Sequence, residues 1–140
     1  MKKLKNIEYY EAVGRRKKTV ARVRLYIKNL KNIKKGEIFV NDKKIEEIYP
    51  SYKVEFLKTP LKLTDNLERF AISVKVNGGG LNGQLEAIVH GISRALILVD
   101  NSYKKVLKQY KLLTRDPRKK ERRKVGTGGK ARREKQSPKR

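Results

Sequence analysis

Three glycines carry the one pattern in this chain that could hold a small molecule. In "VNGGGLNGQ", Gly78, Gly80 and Gly83 satisfy G-x-G-x-x-G, after an alternating run and before a helical one. Asp100 follows about twenty residues on, the spacing of the dinucleotide fingerprint. The context does not fit. The acid of that fingerprint ends a second parallel strand, whereas Asp100 ends the helix itself, and no strand follows it. No Lys-Ser/Thr pair follows Gly83, so the loop is not a P-loop either. Gly78, Gly79 and Gly80 do let the backbone come close to a neighbour, and the next helix presents unpaired N–H groups. Two readings stand, a tight strand-to-helix turn and a loop that admits a phosphate, and both can hold.

His90 is the single histidine and lies on that helix beside Gly91. General acid–base or nucleophilic work needs a partner group, and none is signalled nearby. His90 is therefore read as a histidine that packs or hydrogen-bonds. The absence of cysteine excludes a disulfide framework and Cys-ligated zinc. The acids are scattered and mostly sit beside Lys or Arg, as Glu46-Glu47 follow Lys43-Lys44. No enzyme, cofactor, metal site or small-molecule substrate is expected.

The chemistry these residue types do support is phosphate binding. The 140 residues include 38 Lys or Arg and 14 Asp or Glu, a formal charge of +24. Residues 115–140 hold 13 of the cations and 3 of the acids, which leaves +14 on residues 1–114. Such self-repulsion destabilises a free compact chain, and a polyanion relieves it. A basic body with a basic tail points to nucleic acid. A membrane surface would call for a helix with a bulky apolar face. The tail offers only Val125 and Ala131. "MKKLKNIEYYE" lacks the apolar core of a signal peptide, and "ALILV" at 95–99 is too short to cross a bilayer. A soluble cytoplasmic protein with no membrane partner is expected.

Folded elements must hold these cations. In "YYEAVGRRKKTVARVRLYI" (9–27), Gly14 to Lys18 is read as a turn carrying Arg15, Arg16, Lys17 and Lys18. From Thr19 the period is two, with Ala21, Val23, Leu25 and Ile27 on one face and Arg22, Arg24 and Tyr26 on the other. Arg22 and Arg24 then present two guanidinium forks about 7 Å apart along the strand, and such forks suit phosphate oxygens. "EIFVN" predicts a short second strand with Asn41-Asp42 as its turn. Ile45, Ile48, Tyr49, Tyr52 and Phe56 have helical spacing broken at Pro50, which predicts two short helices, the second ended by Pro60. "LERFAISVKVN" alternates again, with Phe70, Ile72, Val74 and Val76 inward and Arg69, Ala71, Ser73 and Lys75 outward. After the glycine loop, Leu81, Leu85, Ile88, Ile92, Ala95, Leu96 and Val99 make one helical stripe. Ser102 is read as the cap of a further helix containing Val106, Leu107 and Tyr110. Most of the 7 tyrosines are expected in or beside the core, since no aromatic ladder for base stacking is visible.

Residues 1–114 thus read as an α+β domain, a small, mostly antiparallel sheet covered on one face by a long helix. Residues 115–140 read as a basic extension. Asp116-Pro117 signals a helix start, with one or two turns running to Lys124 before the glycines at 126–129 stop it. The last residues should have no fixed structure alone. The cations Arg115, Arg118, Lys119, Lys120, Arg122, Arg123, Lys124, Lys130, Arg132 and Arg133 suit a polyanion, where each neutralised phosphate releases roughly one counterion. A thread of this kind fits between nucleic-acid helices where a globule cannot.

The motifs "GRRKKTVARVRL" (14–25), "IFVN" (38–41), "VNGGGLNGQLEAIVHGISRAL" (76–96) and "LLTRDPRKKERRKVG" (112–126), with terminal Lys139-Arg140, resemble the small-subunit ribosomal protein nine family in its bacterial form. The match runs in order over nearly the whole chain. The resemblance implies the fold called ribosomal protein five second-domain-like, with an uncommon left-handed β-α-β crossover and an extended basic C-terminal tail. It implies binding to small-subunit rRNA in the head of the subunit, among neighbouring head proteins. It also implies that the tail reaches peptidyl-site tRNA, with Lys139 and Arg140 beside the anticodon stem-loop. The chain departs from the family pattern in two places. Ser137 and Pro138 stand where Phe and Ser are usual, which removes an aromatic contact, and Leu85-Glu86 replace smaller residues. From the residues alone, a free RNA chaperone or an architectural DNA-binding protein remains the competing reading, because cations by themselves do not separate RNA from DNA.

Overall fold

The structure, a computed structural model, describes residues 9–30, 32–129, 131 and 132. Its first two strands correct one expectation at once. Gly14 to Arg16 are strand rather than turn: β1 (Tyr9–Arg16) pairs antiparallel with β2 (Thr19–Tyr26), from Tyr9 opposite Tyr26 to Arg16 opposite Thr19. The turn shrinks to Lys17-Lys18, with Lys17 left-handed at φ 51°. The run of cations hides a strand because Gly14 and Arg16 face inward without being apolar.

β3 (Ile38–Val40) and β4 (Lys43–Lys44) form a second hairpin around Asn41-Asp42, both with positive φ, as a two-residue hairpin turn demands. β5 (Ala71–Asn77) lies antiparallel to β2 and parallel to β3, giving the order β1-β2-β5-β3-β4. The sheet is mixed, with one parallel pairing. α1 (Ile45–Ile48) and α2 (Ser51–Leu63) form the connection from the β3–β4 hairpin to β5.

Ala21, Val23 and Leu25 are buried as expected, under α3 (Leu81–Val99). Tyr26 and Ala71, expected to face outward, are buried as well. On the sheet face away from α3 they join Ile33 in a second apolar cluster, flanked by Leu30 and Phe39. The connection around Ile33 covers that end of the outer face, and strand alternation carries no sign of cover supplied by a loop. Pro60 lies inside α2 rather than ending it. The helix buries Val54, Leu57, Pro60 and Leu61, while Tyr52 and Phe56 are exposed. Packing of that face outweighs the hydrogen bond that proline forfeits.

α3 lies on β1 at backbone distance. A β-carbon on Gly14 would collide with the Ala87 carbonyl oxygen and sit 2.9 Å from the Gly91 Cα, and one on Gly91 would lie 2.6 Å from Val23 Cγ2. α4 (Tyr103–Gln109) follows. Ser102 stands at its N-cap without a side-chain cap bond, and instead donates its N–H to Asp100 Oδ1 at 2.8 Å. Tyr110 is the C-cap rather than part of the helix. Left-handed Lys111 (φ 57°), with Leu112 N–H to the Leu107 carbonyl and Lys111 N–H to the Lys108 carbonyl, closes α4 as a Schellman turn.

The helical turns expected from Asp116 to Lys124 do not form. Asp116 accepts the Arg118 N–H and guanidinium instead of capping a helix. Like charges three and four apart between Arg118 and Lys124 would also oppose a helix.

Candidate nucleic-acid interface

The exposed end of the β1–β2 hairpin gathers Arg15, Lys17 and Lys18, none ion-paired among the described residues. Lys17 holds a backbone region where glycine is usual and a lysine is strained. Arg22 and Arg24 project from the outer sheet face, as predicted, but they are not equally available. Glu11, directly opposite Arg24 on β1, accepts from Arg24 Nε at 2.7 Å and lies 3.5 Å from Arg22 Nε. The Arg24 guanidinium also sits 4.9 Å from the Tyr9 ring centroid. The bond to Glu11 raises the Arg24 pKa further above its ordinary value. Arg24 is therefore occupied, while Arg22 stays exposed with one long ion pair.

Lys75 is a candidate that strand reading passed over. It stands directly across from Arg22 on β5, exposed and with no ion pair among the described residues. Like charges facing each other across a sheet are destabilising. An anion laid over both reverses that sign. The signal was available in the outward parity of Lys75, but only the β2–β5 register brings it to Arg22.

Arg16, expected among the phosphate ligands, is buried at 9% exposure. Its guanidinium pairs with Glu86 on α3, lies 3.2 Å from Asp116 Oδ2, and donates to the Arg118 carbonyl oxygen at 2.8 Å. The reason is geometric: Arg16 lies on the α3 side of β1, where its head meets two of the protein's few acids. His90 hydrogen-bonds, as its lone position suggested. Its Nδ1 accepts the Arg15 N–H at 3.3 Å and its Nε2 lies 3.3 Å from the Leu113 carbonyl oxygen, so the tautomer with the proton on Nε2 satisfies both. Burial holds its pKa below the ordinary 6.5.

The glycine loop packs on the hairpin. Gly78 and Gly79 have φ of 74° and 67°, and a β-carbon on Gly79 would collide with Thr19 Oγ1, while one on Gly83 would lie 3.2 Å from the same atom. Thr19 donates to the Gly78 carbonyl at 3.1 Å. Gly80, at the N-cap of α3, has open space around it. These contacts account for Gly78, Gly79 and Gly83 as a tight turn under close approach.

In the extension, Arg115, Lys119, Lys120, Arg122, Arg123 and Lys124 are exposed, with no ion pair among the described residues. Arg118 is held by Asp116, and Arg132 by Glu121 at 2.7 Å. The bond to Arg118 holds the Asp116 carboxyl far below the usual carboxylate range. Lys130, Arg133, Lys139 and Arg140 lie outside the described residues, as do Ser137 and Pro138.

Residues 14–140 match the family described as Ribosomal protein S9/S16. The chain is 46% identical over 123 residues to the small ribosomal subunit protein uS9 of Maridesulfovibrio salexigens, covering 87% of this chain and 90% of the relative. It is 44% identical over 138 residues to the protein of that name from Malacoplasma penetrans, covering 98% of this chain and all of the relative. The counterpart from Solidesulfovibrio magneticus is 46% identical over 123 residues, 87% of this chain and 90% of its own length.

Proposed function

Because the chain belongs to the ribosomal protein S9/S16 family, we propose that it is a structural component of the small subunit of the cytoplasmic ribosome, and that its role is positional. The body docks on small-subunit rRNA in the head, among neighbouring proteins, through Arg15, Lys17, Lys18, Arg22 and Lys75. Lys119, Lys120, Arg122, Arg123 and Lys124, with Lys130, Arg132 and Arg133, follow an rRNA groove. Lys139 and Arg140 lie beside the anticodon stem-loop of peptidyl-site tRNA and add favourable charge there. The crossover from β3 through α1 and α2 to β5 takes the left-handed form of the ribosomal protein five second-domain-like fold.

The observation that carries this reading is which cations the fold leaves without carboxylates. Seven of the twelve described acids are ion-paired, yet none of them pairs with Arg15, Lys17, Lys18, Lys75 or the cations from Lys119 to Lys124. Two of these positions bear a cost in the free protein, the left-handed Lys17 and the like-charged pair Arg22–Lys75. Phosphate contact offsets both.

The test is salt dependence of binding to small-subunit rRNA. Lys17→Gln with Lys75→Gln should weaken binding, and flatten the log–log salt slope by about 0.7 to 0.9 per lost contact. The free protein should melt no lower. An unchanged slope removes the body surface from the interface. Deleting 130–140 should leave subunit assembly intact and weaken tRNA in the peptidyl site; full tRNA affinity in the truncated particle refutes the role of the tail.

A further inference from the structure

Arg16 is held in a way that no nucleic-acid contact explains. Its side chain is 11% exposed, and its guanidinium reaches three groups from two distant segments: Glu86 of α3, Asp116 Oδ2 at 3.2 Å and the Arg118 carbonyl oxygen at 2.8 Å. Asp116 folds the arm back on itself, accepting the Arg118 N–H at 2.9 Å and its Nη2 at 2.7 Å around Pro117. One residue earlier on β1, the Arg15 N–H bonds His90, whose other nitrogen meets the Leu113 carbonyl oxygen. Two adjacent residues of β1 therefore grip residues 113–118 with α3 as the common wall. The four charged groups, Arg16, Arg118, Glu86 and Asp116, sum to zero in a chain of +24. Using Arg16 as a phosphate ligand would give up all three contacts and leave Glu86 without an ion-pair partner among the described residues.

We propose that Arg16, Glu86, Asp116 and His90 form a bracket that fixes where the basic arm leaves the body, with Arg16 as a positioning residue. Without the bracket the arm swings from Leu113, and a seven-residue flexible tether to Lys120 spreads over about 15 Å. With it, Arg118 is pinned against Arg16, which directly precedes Lys17 in sequence. The cations from Lys119 onward thus begin beside those of the hairpin tip, and the two basic sets form one continuous surface. Two linked sets bind a polyanion more tightly when their spacing is held at the span they must bridge. This consequence rests on the RNA reading above; the bracket itself does not.

The chain has no native cysteine, so spin labels can be placed on the full-length protein at Tyr52→Cys and Lys120→Cys, both exposed. The distance distribution between them should be narrow in the native chain. It should broaden in Arg16→Met and in Asp116→Ala, and stay narrow in Arg22→Met, which removes the same charge as Arg16→Met. Asp116→Ala takes nothing from the apolar core, so it decides the matter if Arg16→Met does not fold. A broad native distribution, or Asp116→Ala as narrow as native, overturns the bracket. Asp116→Ala should also lower affinity for small-subunit rRNA by about threefold or more, although it makes the protein more positive. A rise in affinity, with the labels behaving as expected, leaves the bracket standing and removes its consequence for RNA.

Discussion

Gly14→Ala is the most demanding perturbation of this fold. Gly14 does not have positive φ, so alanine is conformationally acceptable there and would by itself restrict the unfolded chain. What forbids it is α3. The new β-carbon would overlap the Ala87 carbonyl oxygen and lie 2.9 Å from the Gly91 Cα, both backbone atoms that no rotamer change can move. The helix must lift off the strand. Overfilling a core costs about 1–3 kcal/mol when side chains can yield, and here none can. Lifting α3 also loosens three ties to β1: Arg94 to the Val13 carbonyl, the Arg15 N–H to His90, and Arg16 to Glu86. With a net contribution of roughly 1 kcal/mol for each such bond, a loss of about 3 kcal/mol or more is expected. At about 4–8 °C per kcal/mol for a domain of this size, the melting temperature should fall by roughly 12 °C or more. Urea unfolding followed by circular dichroism gives the number. Gly80→Ser is the control, because nothing lies within 4 Å of a β-carbon there and serine is a good N-cap. A Gly14→Ala midpoint equal to that of Gly80→Ser would refute the close helix–strand contact, and with it the wall on which the arm bracket depends.

His90 should make stability fall with acid. Its folded pKa lies below the ordinary 6.5, so the unfolded chain binds more protons; the contribution is full above about pH 6.5 and is lost as pH drops toward the folded value. Urea titrations at pH 7.5 and 5.5 should show up to about 1.4 kcal/mol of loss per unit in that window, and His90→Asn should flatten it. Glu11→Gln should release Arg22 and Arg24, raising rRNA affinity and steepening its salt dependence at a stability cost below about 1 kcal/mol; affinity equal to native in a filter-binding assay would mean that face stays off the RNA. Asn41→Ala should cost about 2 kcal/mol by denaturant titration, since the Asn41 amide donates to the Val76 carbonyl at 3.1 Å and accepts the Val76 N–H at 2.9 Å. Asn41→Asp should fall between the two, keeping the accepted bond and losing the donated one.

Where the apolar pattern was long, its middle was sufficient: Leu85, Ile88, Val23 and Ile72 are buried on α3, β2 and β5 as the pattern requires, while Leu81 and Ile27, expected inward at the ends of their runs, are exposed. It failed where burial came from something other than a sheet–helix contact. Tyr26 and Ala71 are covered by a connection whose own sequence is polar apart from Ile27, Leu30 and Ile33. β1 was obscured because its inward positions include Gly14, which has no side chain to register, and Arg16, whose burial depends on carboxylates 70 and 100 residues away in sequence. The helix expected at Asp116 fails for the same reason: the side chain that would have capped it is engaged by Arg118 and Arg16. At the candidate interface, side-chain type identified the cations and left open which of them are available, because that depends on register. Glu11 reaches Arg24 and Lys75 faces Arg22 only once β1, β2 and β5 are aligned.

That allocation of acids is the physical basis of the functional reading. A chain with 38 cations and 14 acids cannot neutralise itself, so the placement of each acid selects which cations remain. If the acids served only to lower repulsion, they would sit where positive charge is densest, at the hairpin tip and along residues 119–124. They do not. Glu86 and Asp116 surround the buried Arg16, Glu11 lies between Arg22 and Arg24 near the covered end of the outer face, and Glu37, Glu46 and Glu55 pair with lysines of β4 and α2. Glu121 is the one acid within the dense run, and it is taken by Arg132. The seven ion-paired acids leave the repulsion unrelieved where it is greatest, and Glu11, Glu46 and Glu86 tie elements together. Salt screens repulsion concentrated in that way, and a partner that brings its own negative charge to both surfaces at once relieves it further, which is what the proposed rRNA contact would supply.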